Sequence, residues 1–500
     1  MSFISRHRLH SSTSLGILAL LCYCYLAFKG RASFKTQKGS EVFTTNDEKI
    51  LLPKTRLASA NWDHVITLYP AENHDWGKGF SLSGLSATSL LIGDHGNKCS
   101  YIFTTSTSSD DWAQSAKLSP ADTDGSFGWS VAGLSATSVA VGDPSLCAKA
   151  GAAYVFTTNG DGNWIQTARL AATDSCTYSQ SHENFLEFGH SLSGLSATSL
   201  VVGVQGDGDS GDYPGAAYIF TAMRNSEHHD WTQSAKITAV DDGDVILFGA
   251  SVAGLSATSL AVGAPGFRYV GCPGAVYMFT TSSGGSWAQT FKTFTDDDAA
   301  NADNYFGDSL SRISATSLAV GVNADANYSG LAYIFTTATG GGHWSLSTRL
   351  VAGDGDEGDG FGYSLSSLNE SSLMVGAYSD DDLGEGSGAA YIFSATKGET
   401  NWTQSAKITP ANGSAGDNFG RSVSGLSANT VASAADIEYF GGGGYSLPYV
   451  QVFSNKVVAA ATSPPSAVVA QVRKMEGVRR LRARRMGHPV ETTALKGGSG

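Results

Sequence analysis

The sequence predicts an all-β chain, a seven-bladed β-propeller of four-stranded antiparallel blades, and three observations carry that prediction. The first is composition: 60 glycines in 500 residues and only 15% charged residues, against roughly 25% charge and about 7% glycine in ordinary globular chains, imply many tight turns and few long surface helices. The second is repetition. Gly-Leu-Ser-Ala-Thr-Ser stands at Gly84, Gly133, Gly194 and Gly254, with variants at Arg312, Ser367 and Gly425, at intervals of 49, 61, 60, 58, 55 and 58 residues. The third is that each copy holds four short β-branched or aromatic runs bounded by Gly, Asp and Ser, which read as strands. Four strands repeated seven times close into a radial propeller and leave no long sheet edge open.

Residues 1–32 come first, with Leu15 to Phe28 as an unbroken stretch of 14 apolar residues and glycine after Arg6 and Arg8. That length is short for a bilayer span, which takes roughly 20 residues, and normal for a signal-peptide core. An uncleaved anchor is the alternative, against which Lys29, Arg31, Lys35 and Lys38 place more positive charge after the segment than before it and so oppose export of the C-terminal side. Signal peptide and signal anchor both stand, and both lead to a secreted or cell-surface protein. Sequons at Asn327, Asn369, Asn401 and Asn412 suit that route. Residues 33–61 read as an N-terminal extension.

The propeller is expected over 62–455. In the fourth copy the four strands are Phe248 to Leu255, Ser259 to Gly263, Gly274 to Thr280 and Trp287 to Phe294. A Phe-Gly pair precedes six of the seven phrases, as at Phe127, Phe188, Phe306, Phe361 and Phe419, with Lys78-Gly79 in its place in the first copy. Trp-led strands start at Trp62, Trp112, Trp164, Trp231, Trp287, Trp344 and Trp402, and none follows Phe453. The strand led by Trp62 is therefore expected to complete the last blade. Residues 456–500 form a basic tail that reads as disordered, with Arg473, Lys474, Arg479, Arg480, Arg482, Arg484 and Arg485.

Charge narrows the partners. Of the 32 Lys and Arg, 19 lie in 33–455, together with 43 of the 45 Asp and Glu, a net charge of −24. So acidic a body repels phosphate backbones, which excludes nucleic acid and favours cations and basic partners. Alternating strand direction puts the loops before each Phe-Gly pair and the loops between second and third strands on one face, and 31 of those 43 carboxylates fall in these loops.

Hard cations take six to eight oxygens, which Asp at alternate positions of Gly-rich loops can supply. The expected calcium ligands are Asp354, Asp356 and Asp359, then Asp207, Asp209 and Asp212, then Asp296, Asp298 and Asp303. The competing reading is that Asp and Gly simply build turns. Tyr213, Tyr328 and Tyr378 in the same loops are candidates to stack on a sugar or cap a basic peptide. Cys147 and Cys176 are a candidate disulfide on that face. No Cys pair has zinc-site spacing. His228-His229-Asp230 reads as a solvated turn ahead of Trp231.

Phe-Gly-x-Ser, then Val262-Gly-Ala-Pro265, then Gly-Ala-Val-Tyr-x-Phe resembles the FG-GAP repeat family, the seven-bladed propellers of integrin alpha subunits and many secreted proteins. The longer phrase with Trp-x-Gln-x-Ala-Lys is similar to microbial and algal members. The resemblance implies extracellular recognition or adhesion by a monomeric, non-enzymatic propeller whose ligand is a protein or a glycan. Integrins bind calcium in the hairpin between first and second strands. Here that hairpin is Leu-Ser-Ala-Thr-Ser, without carboxylates, so those sites are not expected. Two alternatives stay open: a carboxylate-dependent, glycosidase-like hydrolase at the central channel, and a structural wall or matrix component.

Overall fold

The computed structural model describes residues 32–37, 40–45, 48–53, 62–71, 77, 79–106, 111–121, 125–145, 151–160, 162–173, 187–206, 214–224, 229–240, 247–266, 274–282, 285–294, 305–323, 329–338, 342–396, 401–436 and 448–455. They form seven four-stranded antiparallel sheets and a three-stranded meander, Ala32–Gln37, Ser40–Thr45 and Glu48–Pro53. Blade two is Ser130–Ser135, Ser138–Asp143, Ala152–Thr158 and Trp164–Leu170, in spatial order. The other blades repeat it. Blade seven takes Ser422–Ser427, Thr430–Ala435 and Tyr449–Asn455 from one end of the repeat array and Trp62–Leu68 from the other. Val450 pairs with Leu68 and Asn455 with Trp62, so the ring closes through the N-terminal strand.

First strands of neighbouring blades touch one another all the way round. They are therefore the innermost strands and surround the propeller axis. The core lies between blades: Leu91, Ile102 and Leu118 of blade one pack on Phe127, Val139 and Tyr154 of blade two. Leu68, Val450 and Val452 of blade seven pack on Leu90, Ile92 and Tyr101 of blade one. The outer-strand tryptophans close these clusters, Trp112 and Trp344 buried and Trp287 and Trp402 partly so.

The repeated phrases are the fasteners of this ring. In blades two to six the Phe of the Phe-Gly pair packs on the Tyr of its own third strand, as Phe248 does edge-on to Tyr277 at 5.4 Å between centroids, and in blade seven Phe419 packs on Phe453. The following Gly adopts φ near +90°, for example 93° at Gly249, a region open chiefly to glycine. That conformation ends the incoming loop, so Phe248 and Gly249 sit in a turn ahead of the strand Ser251–Ser256 rather than inside it, as the sequence suggested. The Ser two residues on donates to the Phe-Gly carbonyl of the next blade: Ser251 Oγ to Gly307 O at 2.6 Å, and likewise Ser81, Ser130, Ser191, Ser309 and Ser364.

The Gln of Trp-x-Gln ties outer strands together. Gln289 Oε1 accepts from Val240 N at 3.1 Å, and Gln114, Gln233 and Gln404 accept from the matching loops. Blade seven carries His64 at that register position, and Gln451 of its third strand takes over the contact, to Ala411 N at 3.0 Å. In the Leu-Ser-Ala-Thr-Ser hairpins, the first Ser accepts from the Thr backbone N–H, as Ser256 does from Thr258 at 3.2 Å. These turns close on hydroxyls alone. One expectation needs correction: blade three has longer outer strands, Ala216–Arg224 and His229–Ile237, so His229 and Asp230 extend the hairpin by pairing with Arg224 and Met223.

Candidate functional site

The loops before each blade and the loops between second and third strands do meet on one face. Asn418 N and Phe419 N donate to Gly386 O and Ser387 O, and Gly77 N and Ser126 N donate to the Asp94 and Asp143 carboxylates. Asp94, Asp143, Asp359, Asp380 and Asp417 are buried there and serve as turn acceptors; Asp359 Oδ2 takes Asp356 N at 2.8 Å and Asp417 Oδ2 takes Ser414 N at 2.9 Å. Burial, with Asp380, Asp356 and Asp381 nearby, pushes the Asp359 carboxyl up to about 6.

Of the residues singled out in the sequence, Asp354, Asp356, Asp359, Tyr378, Asn369, Asn401 and Asn412 are among the described residues. Asp207, Asp209, Asp212, Asp296, Asp298, Asp303, Tyr213, Tyr328, Asn327, Cys147 and Cys176 lie outside them. Asp354 and Asp359 go to different partners: Asp354 Oδ2 pairs with Lys407 Nζ at 3.0 Å while Asp359 folds back on its own turn. Lys407 holds Asp354 below the usual carboxylate range although burial works the other way. Among the described residues no group of three or more His, Cys, Asp or Glu side chains is arranged to hold a metal ion. Asn401 and Asn412 are exposed, and Asn369 is partly buried with Oδ1 accepting from Ser371 N at 2.8 Å.

A different set of side chains gathers at the axial mouth of this face. Two positions per blade differ from copy to copy: the x of Phe-Gly-x-Ser, at the loop-face end of the innermost strand, and the residue directly after the second strand, where the fourth copy has Pro265. The first position reads Phe80, Trp129, His190, Ala250, Asp308, Tyr363 and Arg421 from blade one to blade seven. The second reads His95, Pro144, Gln205, Pro265, Asn323, Tyr378 and Asp436.

Several of these residues contact one another in clusters around the rim. Trp129, 40% exposed, lies between His95 and His190, with centroids at 4.8 and 5.6 Å. His190 Nδ1 is 3.4 Å from Glu187, which also accepts from Gln205. Asn323 Nδ2 donates to Asp308 Oδ2 at 2.7 Å. Tyr378 packs on Tyr363 at 4.6 Å, and the Arg421 guanidinium lies 5.8 and 5.9 Å from these two rings, with Nε 3.7 Å from Asp436. Blade four contributes only Ala250 and Pro265, so His190 and Asp308 interact across it.

The rim is chemically uneven. Arg421 of blade seven and His95 of blade one are close enough to interact electrostatically. Glu187 and Asp308 flank blade four. Burial lowers the His95 pKa despite Asp436 and Asp94 beside it. Burial raises Asp308 from 3.8 to about 6, with His190 and Asn323 opposing. A carboxyl raised on folding binds more protons in the folded state, so its effect is to lower stability as pH rises from about 4 to about 6. Asp308→Asn should match the wild-type melting midpoint at pH 4 and melt higher above pH 6, where its stability exceeds the wild type's by about 1–2 kcal/mol after allowing for partial solvent screening. Equal midpoints at both pH values would contradict the assignment.

Sequence reasoning weighed the loops by their carboxylates and passed over these positions, apart from Tyr378. The available signal was variation: most framework positions repeat in most copies, and at these two aligned positions nearly every copy has a different residue.

The FG-GAP repeat family model matches residues 344–393 and 402–436, which run from the outer strand of blade five to the second strand of blade seven. No curated protein matches the chain. The chain therefore carries FG-GAP repeats over residues 344–393 and 402–436, set in a ring of seven four-stranded blades, six of which begin with the same Phe-Gly-x-Ser residues, and its architecture is that of an FG-GAP propeller.

Proposed function

We propose that this propeller is an extracellular or cell-surface recognition module that binds a protein or glycan ligand at the rim of its acidic loop face. One observation carries the proposal: two positions at which the copies differ gather at the axial mouth, in contact clusters of blades one to three, of blade five and of blades six and seven. Aromatic faces, an arginine, imidazoles, carboxylates and side-chain amides within one rim supply both stacking and directional hydrogen bonds, the combination that fixes a polar ligand. The body's net charge of −24 steers basic ligands toward it.

Screening the purified protein on a glycan array and on an array of basic peptides tests this. Saturable hits are expected, weakened about tenfold or more by Trp129→Ala, the loss of one exposed aromatic anchor. Hits that Trp129→Ala leaves unchanged would place the ligand elsewhere. A second reading, a carboxylate-dependent hydrolase, draws on Asp308, whose raised pKa suits a general acid. Turnover of a bound glycan that Asp308→Asn abolishes would replace recognition with hydrolysis.

A further inference from the structure

Six of the seven blade junctions are fastened alike at the loop face. There the innermost-strand Ser of one blade donates to the Phe-Gly carbonyl of the next, from Ser81 to Gly128 O at 2.9 Å round to Ser364 to Gly420 O at 2.7 Å. The carbonyl reaches that hydroxyl because a second-strand glycine stands opposite the serine, as Gly93 does to Ser81 and Gly263 to Ser251. A Cβ on these six glycines would lie 1.9 to 2.2 Å from the carbonyl oxygen. The Phe of the same pair is buried in each following blade, from Phe127 to Phe419. The junction of blades seven and one departs in all three parts. Lys78 stands where the Phe would be. Ala434 is opposite Ser422, and its methyl group fills the place that the carbonyl takes elsewhere. Among the described residues Ser422 makes no bond to Gly79 O; Gly79 lies against His95 of its own blade, where an added Cβ would come within 1.7 Å of Cε1.

We propose that the junction of blades seven and one is a seam built into the ring, which parts at the loop face while the other six junctions stay closed. Local opening takes place where the fewest contacts have to break, and the contacts this junction lacks all belong to its loop-face end. What holds it lies elsewhere: Ala432 and Val450 pack on Leu90 and Ile92, and Gly84 N donates to Ser424 Oγ at 2.8 Å. At the periphery the chain itself runs from Leu68 into blade one, with Ala71 N donating to Gln114 Oε1 at 2.9 Å, and this tether is the hinge. Arg421 and Asp436 stand on the blade-seven side of the seam and His95 on the blade-one side. Its parting therefore changes the spacing of rim residues without any rearrangement inside a blade, and the seam exists whatever ligand the rim binds.

Native-state hydrogen exchange on the full chain tests this. Four glycine amides donate to a serine hydroxyl of the preceding blade: Gly84 to Ser424, Gly133 to Ser83, Gly254 to Ser193 and Gly425 to Ser366. Each loses its partner when its junction parts, so each reports on one junction. Gly84 is expected to exchange at least about tenfold faster than the other three. Removing the fastening hydroxyl at two junctions separates a missing fastener from fraying of any other origin. Ser191→Ala, which cuts the bond to Gly249 O, should speed exchange at Gly254 about fivefold or more, the effect of one ordinary hydrogen bond. Ser422→Ala should leave Gly84 unchanged. Equal exchange at the four glycines would overturn the proposal, as would a Ser422→Ala protein in which Gly84 exchanges faster than in the wild type, or a Ser191→Ala protein in which Gly254 does not.

Discussion

A chain shortened to begin at Ala71 should lose cooperative unfolding, whereas one beginning at Asn61 should melt as the full-length protein does. The strand Trp62–Leu68 is the outer strand of blade seven, and its Leu68, Ile66 and Val65 pack into the cluster that joins blades seven and one. At about 1.5–3 kcal/mol for a fully buried side chain such as Leu68 and less for the partly buried Val65 and Ile66, the three contribute roughly 4–7 kcal/mol together. That is comparable to the whole stability of many domains, about 5–15 kcal/mol. Removing the strand also exposes the edge of Tyr449–Asn455, an invitation to aggregate. Calorimetry of the two chains decides the matter, and a two-state transition of unchanged midpoint in the shorter one would show that the ring does not depend on its closing strand.

The second large effect is expected at the glycine one residue before the end of the second strand in blades one to six, a position that blade seven fills with Ala434. A Cβ on Gly263 would lie 2.0 Å from the Gly307 carbonyl oxygen and 2.3 Å from Ser251 Oγ. The same carbonyl approach, 1.9 to 2.2 Å, recurs at Gly93, Gly142, Gly203, Gly321 and Gly376. Nothing flexible stands in the way: the obstacle is backbone of the adjoining blade, itself fixed by the Ser251 hydroxyl. Gly263→Ala should therefore cost about 3 kcal/mol or more, at the upper end of overpacking. Gly342→Ala is the control, since a Cβ there meets nothing within 4 Å, and should leave the midpoint unchanged. A Gly263→Ala protein as stable as that control would mean that neighbouring blades can part to admit a methyl group.

Much of this fold is legible in the sequence because its constraints are local and repeated. A Phe before a glycine that needs positive φ, a hydroxyl turn between two β-branched runs, and a Trp strand missing after Phe453 each follow from residue types and spacing. The blade-to-blade fasteners were less visible. That Ser251 reaches Gly307 O, or that Gln289 holds Val240 N, depends on which strand is innermost and how adjoining blades face each other. The same limit hid the rim. Trp129, Asp308 and Arg421 stand in a strand phrase that reads as framework, and only ring closure brings them beside His95, Asn323 and Asp436. Carboxylates drew attention to Asp354 and Asp359 as one cation site, yet strand pairing sets Lys407 against Tyr391 and so delivers an ammonium to Asp354.

The central claim is a division of labour: positions constant across the seven copies build the ring, and the two variable positions per blade recognise the ligand. The most direct measurement replaces Trp129, His190, Tyr363 and Arg421 together by alanine and compares array binding and melting midpoint with the wild type. The account predicts a midpoint close to the wild type's, because these residues lie at the rim and outside the interblade core, with array binding lost. Binding that survives the fourfold replacement in a folded protein would contradict it.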